Sequence, residues 1–308
     1  MKVSLIATVK EVGPALEPFL ASVAAQTRPP DEVVIVDGGS TDGTLQTLQA
    51  APGVTVVSAP GANISRGRNL AVRAAAHDVI AATDGDCVLA DDWLERLLEP
   101  ILAGADVSAG FYRPLDPTFF EACAASVSIP DADELAPGWM PSSRSIAFRR
   151  QAYEAAGGYP EWLPVGEDMY FDHRLVEAGL RIDLAPRAVT YWRIRPTLAA
   201  TWRQYARYAE GDALAGMYPE RHLLRVGTYA ALVVVLRTRR APLLVAAAAA
   251  GLVHARAPLR RVWRRLPAGS PRRLAGLAFT PALMAFVDAA KMAGYLRGLV
   301  RRGSAARG

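Results

Sequence analysis

Apolar positions along the chain fall in short blocks that alternate between two periods. VSLIATV (3–9), DEVVIVD (31–37), VTVVSA (54–59) and HDVIAATD (77–84) are continuous apolar runs of strand length, rich in β-branched residues. Between them ALEPFLASVAAQ, TLQTLQAA and SRGRNLAVRAAA place apolar residues at helical spacing, and TRPPD and GGSTDG supply turn residues. Strands buried on both faces read as unbroken apolar runs, so this alternation predicts an α/β fold: a mostly parallel sheet covered by helices on both sides. Beyond it, DDWLERLLEPILAG (91–104) reads as an amphipathic helix and ADVSAGFYRP (105–114) as a strand. GEDMYFDHRLVEAG (166–179) reads as a helix opened by acidic residues, and RIDLAPRAVTYW as strand and connection. Residues 115–150 show no clear period and read as irregular.

The pattern changes at Arg221. LLRVGTYAALVVVL, APLLVAAAAAGLV and LAGLAFTPALMAFV are strongly apolar and are separated by arginine-rich segments. None reaches, uninterrupted, the roughly 20 residues that cross a bilayer as a helix. Interfacial helices, a re-entrant pair, a membrane hairpin and an Ala/Leu-rich subdomain packed on the rest of the chain all fit. Charge sharpens the division. Residues 1–220 hold 18 Lys/Arg against 29 Asp/Glu, and residues 221–308 hold 17 against Asp288 alone, beneath a net charge of +5. The expectation is an acidic domain at 1–220 and a basic, membrane-associating helical region at 221–308. An anionic lipid surface suits that region, each nearby Lys or Arg contributing on the order of 1 kcal/mol. Nucleic acid suits it less, because few aromatic residues are interleaved with the basic ones. Cys87 and Cys123 have no metal-ligand spacing and give no disulfide framework, so a reducing, cytoplasmic setting is expected. The N-terminus reads as a first strand and lacks the pattern of a signal peptide. His77, His173, His222 and His254 are scattered without ligand spacing.

In sheets of this kind ligands collect at the carboxyl ends of the strands. Thr8–Glu11, Asp37–Asp42 and Asp84–Asp86 all fall at such ends, so three polar clusters are predicted to share one rim. Asp84 and Asp86 stand at i and i+2, which in an extended chain points both side chains one way, and Gly85 between them permits close approach. Asp and Gly are also ordinary turn residues where a strand leaves the core. As a site, hard carboxylate oxygens suit Mg²⁺ or Mn²⁺ completed by substrate phosphates, and such an ion stabilises charge on a departing diphosphate.

Several motifs in order carry a family resemblance. VSLIATVKEVGPALEPFLASVAAQTRPPDEVVIVDGGSTDGT, RGRNLAV, the strand ending in DGD, and GGYPEWLPVGEDMYFDHRLVEAGLRI together resemble family 2 glycosyltransferases with the GT-A fold, over roughly residues 1–220. The resemblance implies a nucleotide-diphospho-sugar donor and Mn²⁺ or Mg²⁺. Asp84 and Asp86 match the family's DxD, the first typically on the sugar nucleotide and the second on the metal. Thr8, Glu11 and Asp37 match positions that line the nucleoside pocket, and Arg68 an Arg-Asn position beside diphosphate or base. Lys10 and Gly38 depart from residues common there, which leaves the base open. Asp168 matches the carboxylate that serves as general base in inverting members; it also reads as a helix-start residue, and Glu167 as its support. WRQYARYAEGD resembles a segment of membrane-linked members, which places Gln204 and Arg207 on the acceptor or diphosphate side; an aromatic-rich core helix is the alternative. Trp139, in GWMPSSRS, is a candidate for the acceptor side or for packing. The acceptor implied is a lipid-linked or cell-envelope glycan at the cytoplasmic face of a membrane.

Two rival functions make different demands. A sugar-phosphate nucleotidyltransferase calls for a Gly-rich phosphate loop after the first strand, where this chain has ATVKEVGP. A non-catalytic membrane-associated scaffold calls for damaged acidic clusters, whereas Asp84, Asp86 and Asp168 are all present.

Overall fold

The computed structural model describes residues 1–116, 118–135 and 138–305. Pro117, Ala136 and Pro137, in the stretch read as irregular, and residues 306–308 of the C-terminal region lie outside the described residues. Two units can be distinguished, one of residues 1–114 with 132–193 and the other of 115–131 with 194–308. The second unit thus takes in more of the chain than the apolar, basic stretch 221–308.

The first unit is built on an eight-stranded sheet. The four apolar runs become β1 (Val3–Val9), β2 (Glu32–Asp37), β3 (Val54–Ser58) and β4 (Val79–Asp84). They run parallel in the order β3-β2-β1-β4, as the unbroken apolar pattern requires. The helices between them are α1 (Leu16–Ala24), α2 (Thr44–Ala50) and α3 (Ile64–Ala74), the last capped by the Asn63 side chain on the Arg66 amide. Past β4 the chain makes β5 (Cys87–Leu89), α4 (Trp93–Leu102) and β6 (Val107–Leu115). Residues 115–150 are more ordered than their pattern predicted. They contain α5 (Phe119–Ser128), whose Thr118 cap bonds the Glu121 amide, and β7 (Ile146–Arg149), which pairs antiparallel with both β4 and β6. IAFR is four residues long, too short for periodicity to reveal, yet it sits mid-sheet. Then come α6 (Arg150–Ala155), α7 (Glu167–Glu177) and β8 (Ile182–Arg193), which pairs antiparallel with β5.

Two apolar layers hold the sheet. Phe19, Trp93, Leu94 and Leu97 of α1 and α4 pack with Leu5 and Ile35 on one side. Val72, Phe148, Tyr159 and Phe171 pack with Ile6, Val34 and Ile80 on the other. Each fully buried side chain of this size contributes about 1.5–3 kcal/mol, so the strand ends are held as a rigid platform.

The second unit is helical: α5, α8 (Leu198–Ala215), α9 (Pro219–Thr238), α10 (Ala241–Arg265) and α11 (Arg272–Ala305). α11 lies against α8 closely enough that a Cβ on Gly294 would overlap the Ala206 carbonyl oxygen, and one on Gly298 would crowd Glu210. Glu210 of α8 receives Arg297 and Arg301 of α11. The apolar runs that looked too short individually are continuous helices with their arginine-rich flanks. Ala241–Arg265 and Arg272–Gly303 have the length and apolar composition of candidate membrane spans.

Candidate active site

Strand register brings the predicted rim together. Thr8 stands opposite Asp84, and Val9 opposite Asp37, so the carboxyl ends of β1, β2 and β4 meet. Asp37 is fully buried, and its Oδ2 accepts from the amides of Gly39 and Ser40 at 2.9 and 3.0 Å, while Oδ1 has no partner among the described residues. It therefore shapes the loop after β2. Glu11, at φ 52°, accepts from the amide and hydroxyl of Thr41 at 3.0 Å each, joining the loop after β1 to the same loop.

Asp84 ends β4, and Gly85 and Asp86 form the turn into β5. The two carboxylates are thus separated by a turn and do not lie along one extended strand. A Cβ on Gly85 would overlap the Val9 side chain, so this glycine is needed for strand packing in addition to any ligand. Asp86 accepts from the Trp192 indole N–H at 3.3 Å and lies 3.9 Å from the Cys87 sulfur.

Arg68 is the hub. Its side chain is 3% exposed; Nη2 donates to Asp84 Oδ1 and Nη1 to Glu167 Oε1, each at 2.7 Å, and the guanidinium lies 5.2 Å from the Tyr159 ring centre. It links the DGD motif to the Glu-Asp pair. α3 can come this close because Gly67 leaves no Cβ to strike Thr8, 2.8 Å away. The next residue, Asn69, bonds Tyr159 N and O at 3.0 and 2.9 Å and fixes the segment that leads to α7. Burial works to raise the Asp84 carboxyl, but Arg68 and Arg144 outweigh it and hold Asp84 below the usual carboxylate range.

Gly166, left-handed at φ 82°, opens α7, so Glu167 and Asp168 occupy its first turn, where the helix dipole favours negative charge. Asp168 is half-buried; its Oδ2 accepts from Ser142 Oγ at 3.3 Å and its Oδ1 from the Met169 amide at 2.9 Å. Burial and the neighbouring Asp168 raise the Glu167 carboxyl, with Arg68 opposing.

Sequence reasoning missed three residues here. Arg144 lies 3.5 Å from Asp84 Oδ2 and stacks over Trp192, 4.3 Å from its ring centre. Ser142 touches Asp168, and both residues sit in the GWMPSSRS segment that drew notice only for Trp139. The third, Asp172, follows Asp168 by one helical turn, is 1% exposed, and has neither carboxyl oxygen hydrogen-bonded among the described residues. Burial and Asp168 raise its carboxyl well above the usual range, against Arg68.

Two segments carry the remaining predicted residues. Trp139 packs against Phe111 at 6.4 Å and lines, with Leu135, Met140 and Val176, a cavity of about 870 Å³. Gln204 and Arg207 belong to the second unit, on α8, where Gln204 donates to the Tyr208 hydroxyl at 2.9 Å.

Comparison with known proteins decides the family. The profile described as "Glycosyl transferase family 2" matches residues 4–122, and "Glycosyl transferase family group 2" matches residues 136–290, half of the chain. The chain belongs to the family 2 glycosyltransferases. The succinoglycan biosynthesis protein ExoA of Rhizobium meliloti is 29% identical over 67% of this glycosyltransferase and 64% of its own length. An N-acetylglucosaminyl-diphospho-decaprenol L-rhamnosyltransferase of Mycobacterium tuberculosis is 36% identical over 34% of this chain and 32% of its own. The chain therefore spans less than two thirds of the length of these curated relatives. Among solved structures, the mannosyltransferase PcManGT of Pyrobaculum calidifontis, in complex with GDP-Man and Mn²⁺, aligns with a TM-score of 0.56 at 24% identity. That alignment covers 98% of this glycosyltransferase and 86% of the other chain, and it fixes the fold as GT-A.

A divalent ion is implied by the DxD motif of such enzymes. Among the described residues no group of three or more His, Cys, Asp or Glu is placed to hold one. The donors present are two hard carboxylates, one already engaged by two arginines, so they fit an ion whose other ligands are diphosphate oxygens and water.

Proposed function

We propose that this glycosyltransferase moves a sugar from a nucleotide-diphosphate donor to a lipid-linked or cell-envelope glycan acceptor, with inversion at the anomeric carbon. The observation that carries the reading is Arg68, which holds the DGD aspartate and the Glu167 side chain next to Asp168 in one buried ion-pair system. In this reading Asp168 accepts the proton of the acceptor hydroxyl as its oxygen attacks the anomeric carbon and the nucleotide diphosphate leaves. Glu167 and Ser142 orient that carboxylate. Thr8, Glu11 and Asp37 frame the nucleoside pocket, and Asp84 meets the sugar nucleotide. Mn²⁺ or Mg²⁺ held by Asp86 and Asp84 would supply positive charge to the leaving diphosphate. Trp139, Gln204 and Arg207 are assigned to the acceptor or diphosphate side.

Support for the donor comes from the GDP-Man and Mn²⁺ in the PcManGT complex, and for the acceptor from the decaprenol diphosphate in the mycobacterial relative's name. Residues 1–220 are read as the catalytic region and residues 221–308 as the part that holds the enzyme at the cytoplasmic face of a membrane, on their charge difference and apolar helices. The test is a thermal-shift screen of UDP, GDP and dTDP with and without Mn²⁺. One nucleotide is expected to raise the melting temperature, with a larger rise when Mn²⁺ is present. No shift with any of them contradicts the donor-site assignment.

A further inference from the structure

Among the described residues, none from Leu223 to His254 is buried, although the stretch holds two helices of strongly apolar composition. Leu223, Leu224, Val234, Val245, Leu252 and Val253 are 60–72% exposed. These positions point around α9 and α10 on more than one face, so among the described residues of its own unit the hairpin as a whole, and not a single stripe, lacks a cover. α11 differs: Leu283, Val287 and Ala290 are buried within the unit.

The charge at the helix ends identifies the cover. Arg237, Arg239 and Arg240 form the α9–α10 junction, and all three are exposed. Arg264 and Arg265, which pair with Asp131, stand with Arg272 and Arg273 around the α10–α11 junction, and Arg297 and Arg301, which pair with Glu210, stand with Arg302 in the last turns of α11. Arg221 and Arg225 lie at the start of α9. Every junction of the three helices is therefore basic, and the only acidic residue within them past the first turn of α9 is Asp288, which receives Arg225 at 2.7 Å and Tyr229 at 3.0 Å. Apolar helices flanked by arginines at each end complement an anionic lipid surface.

The same distribution decides how the helices meet the bilayer. The runs between charges are Val226–Leu236 in α9, Ala241–Ala255 in α10 and Leu274–Val287 in α11. At the helical rise these are about 16, 22 and 21 Å long, against about 30 Å of hydrocarbon. Snorkelling arginines shorten that gap, so length alone does not settle the matter. Junction charge does, because a crossing by α10 carries either the 237–240 cluster or the 256–273 cluster to the far side, and basic junctions are retained on the cytoplasmic side.

We propose that the α9–α10 hairpin lies in one leaflet of an anionic bilayer without crossing it, with every arginine-rich junction on the same face. This rests on the membrane reading given above. Entry into a single leaflet lets the apolar side chains leave water and keeps the exposed Arg237, Arg239 and Arg240 among the headgroups.

The test uses the full chain, whose native thiols Cys87 and Cys123 are both buried. Thr238→Cys and Ala268→Cys place one accessible thiol at each junction. After expression in bacterial cells, one sample is broken and fractionated to show that the protein pellets with membranes, and separate samples are labelled with a membrane-impermeant maleimide as intact spheroplasts and as inverted vesicles. Both thiols are expected to label in inverted vesicles and neither in spheroplasts. Labelling of either thiol from outside overturns the single-leaflet topology while leaving membrane association standing. Failure to pellet with membranes overturns the membrane reading itself, and a soluble dimer that protects Thr238→Cys shows that a second copy covers the hairpin instead. A second arm uses vesicles of phosphatidylglycerol or phosphatidylcholine. Changing Arg237, Arg239 and Arg240 to Gln is expected to weaken phosphatidylglycerol binding on the order of a hundredfold, at about fivefold per arginine. Equal binding of both proteins to both lipids contradicts the anionic-lipid assignment.

Discussion

At the scale of single residues the site is an arrangement of four carboxylates around one guanidinium, and each responds differently. Removing Arg68 leaves Asp84 and Glu167 buried without their shared partner, which costs about 3–5 kcal/mol for a broken buried pair. Arg68→Met is therefore expected to lower the melting temperature markedly, as read by calorimetry, and an unchanged transition contradicts the hub role. Asp172 behaves in the opposite sense. Its folded-state pKa is raised, so the unfolded chain releases its proton from about pH 4 upward while the folded chain retains it, and stability falls as pH rises through that window. Asp172→Asn removes this dependence. Its urea midpoint is expected to match the wild type at about pH 4 and to exceed it at about pH 8. Equal midpoints at both values show that Asp172 is not held protonated.

Elements explain what was legible in the sequence and what was not. The four parallel strands and α1 to α4 were readable because their apolar patterns are long and their turn residues distinct. Asp84, Asp86 and Asp168 stood out as carboxylates at element ends. β7 escaped because four residues carry no period, and α5 because its alanine- and serine-rich sequence lacks an apolar stripe, even though its Thr118 cap and Glu121 were visible. Arg144 escaped for a different reason. An arginine in a polar loop looks solvated until β7 and β8 bring it to Asp84 and Trp192. Gly67 and Gly294, at close approaches between elements, were likewise silent in sequence. Gly294 allows α11 to meet the α8 backbone, so Gly294→Val is expected to cost about 1–3 kcal/mol through overpacking, measured as a lower denaturant midpoint. An unchanged midpoint indicates that the two helices are not in that contact.

At the scale of the whole molecule, an acidic α/β unit and a basic helical unit share one chain, and the family assignment rests on profiles that match in both. The charge division was legible from residue counts, and the exposure of α9 and α10 was not, because an Ala/Leu-rich run reads the same in a packed core and at a lipid surface. The catalytic account stands or falls on Asp168. The direct measurement is release of nucleotide diphosphate from UDP-, GDP- and dTDP-sugars with Mn²⁺, in the presence of a lipid-linked glycan acceptor, by wild type and Asp168→Asn. The wild type is expected to turn over one donor, and Asp168→Asn to lose on the order of 10²- to 10⁴-fold in kcat, the contribution of a positioned general base, while its melting temperature stays close to that of the wild type. Equal turnover by the two proteins contradicts the assignment of Asp168 as the base.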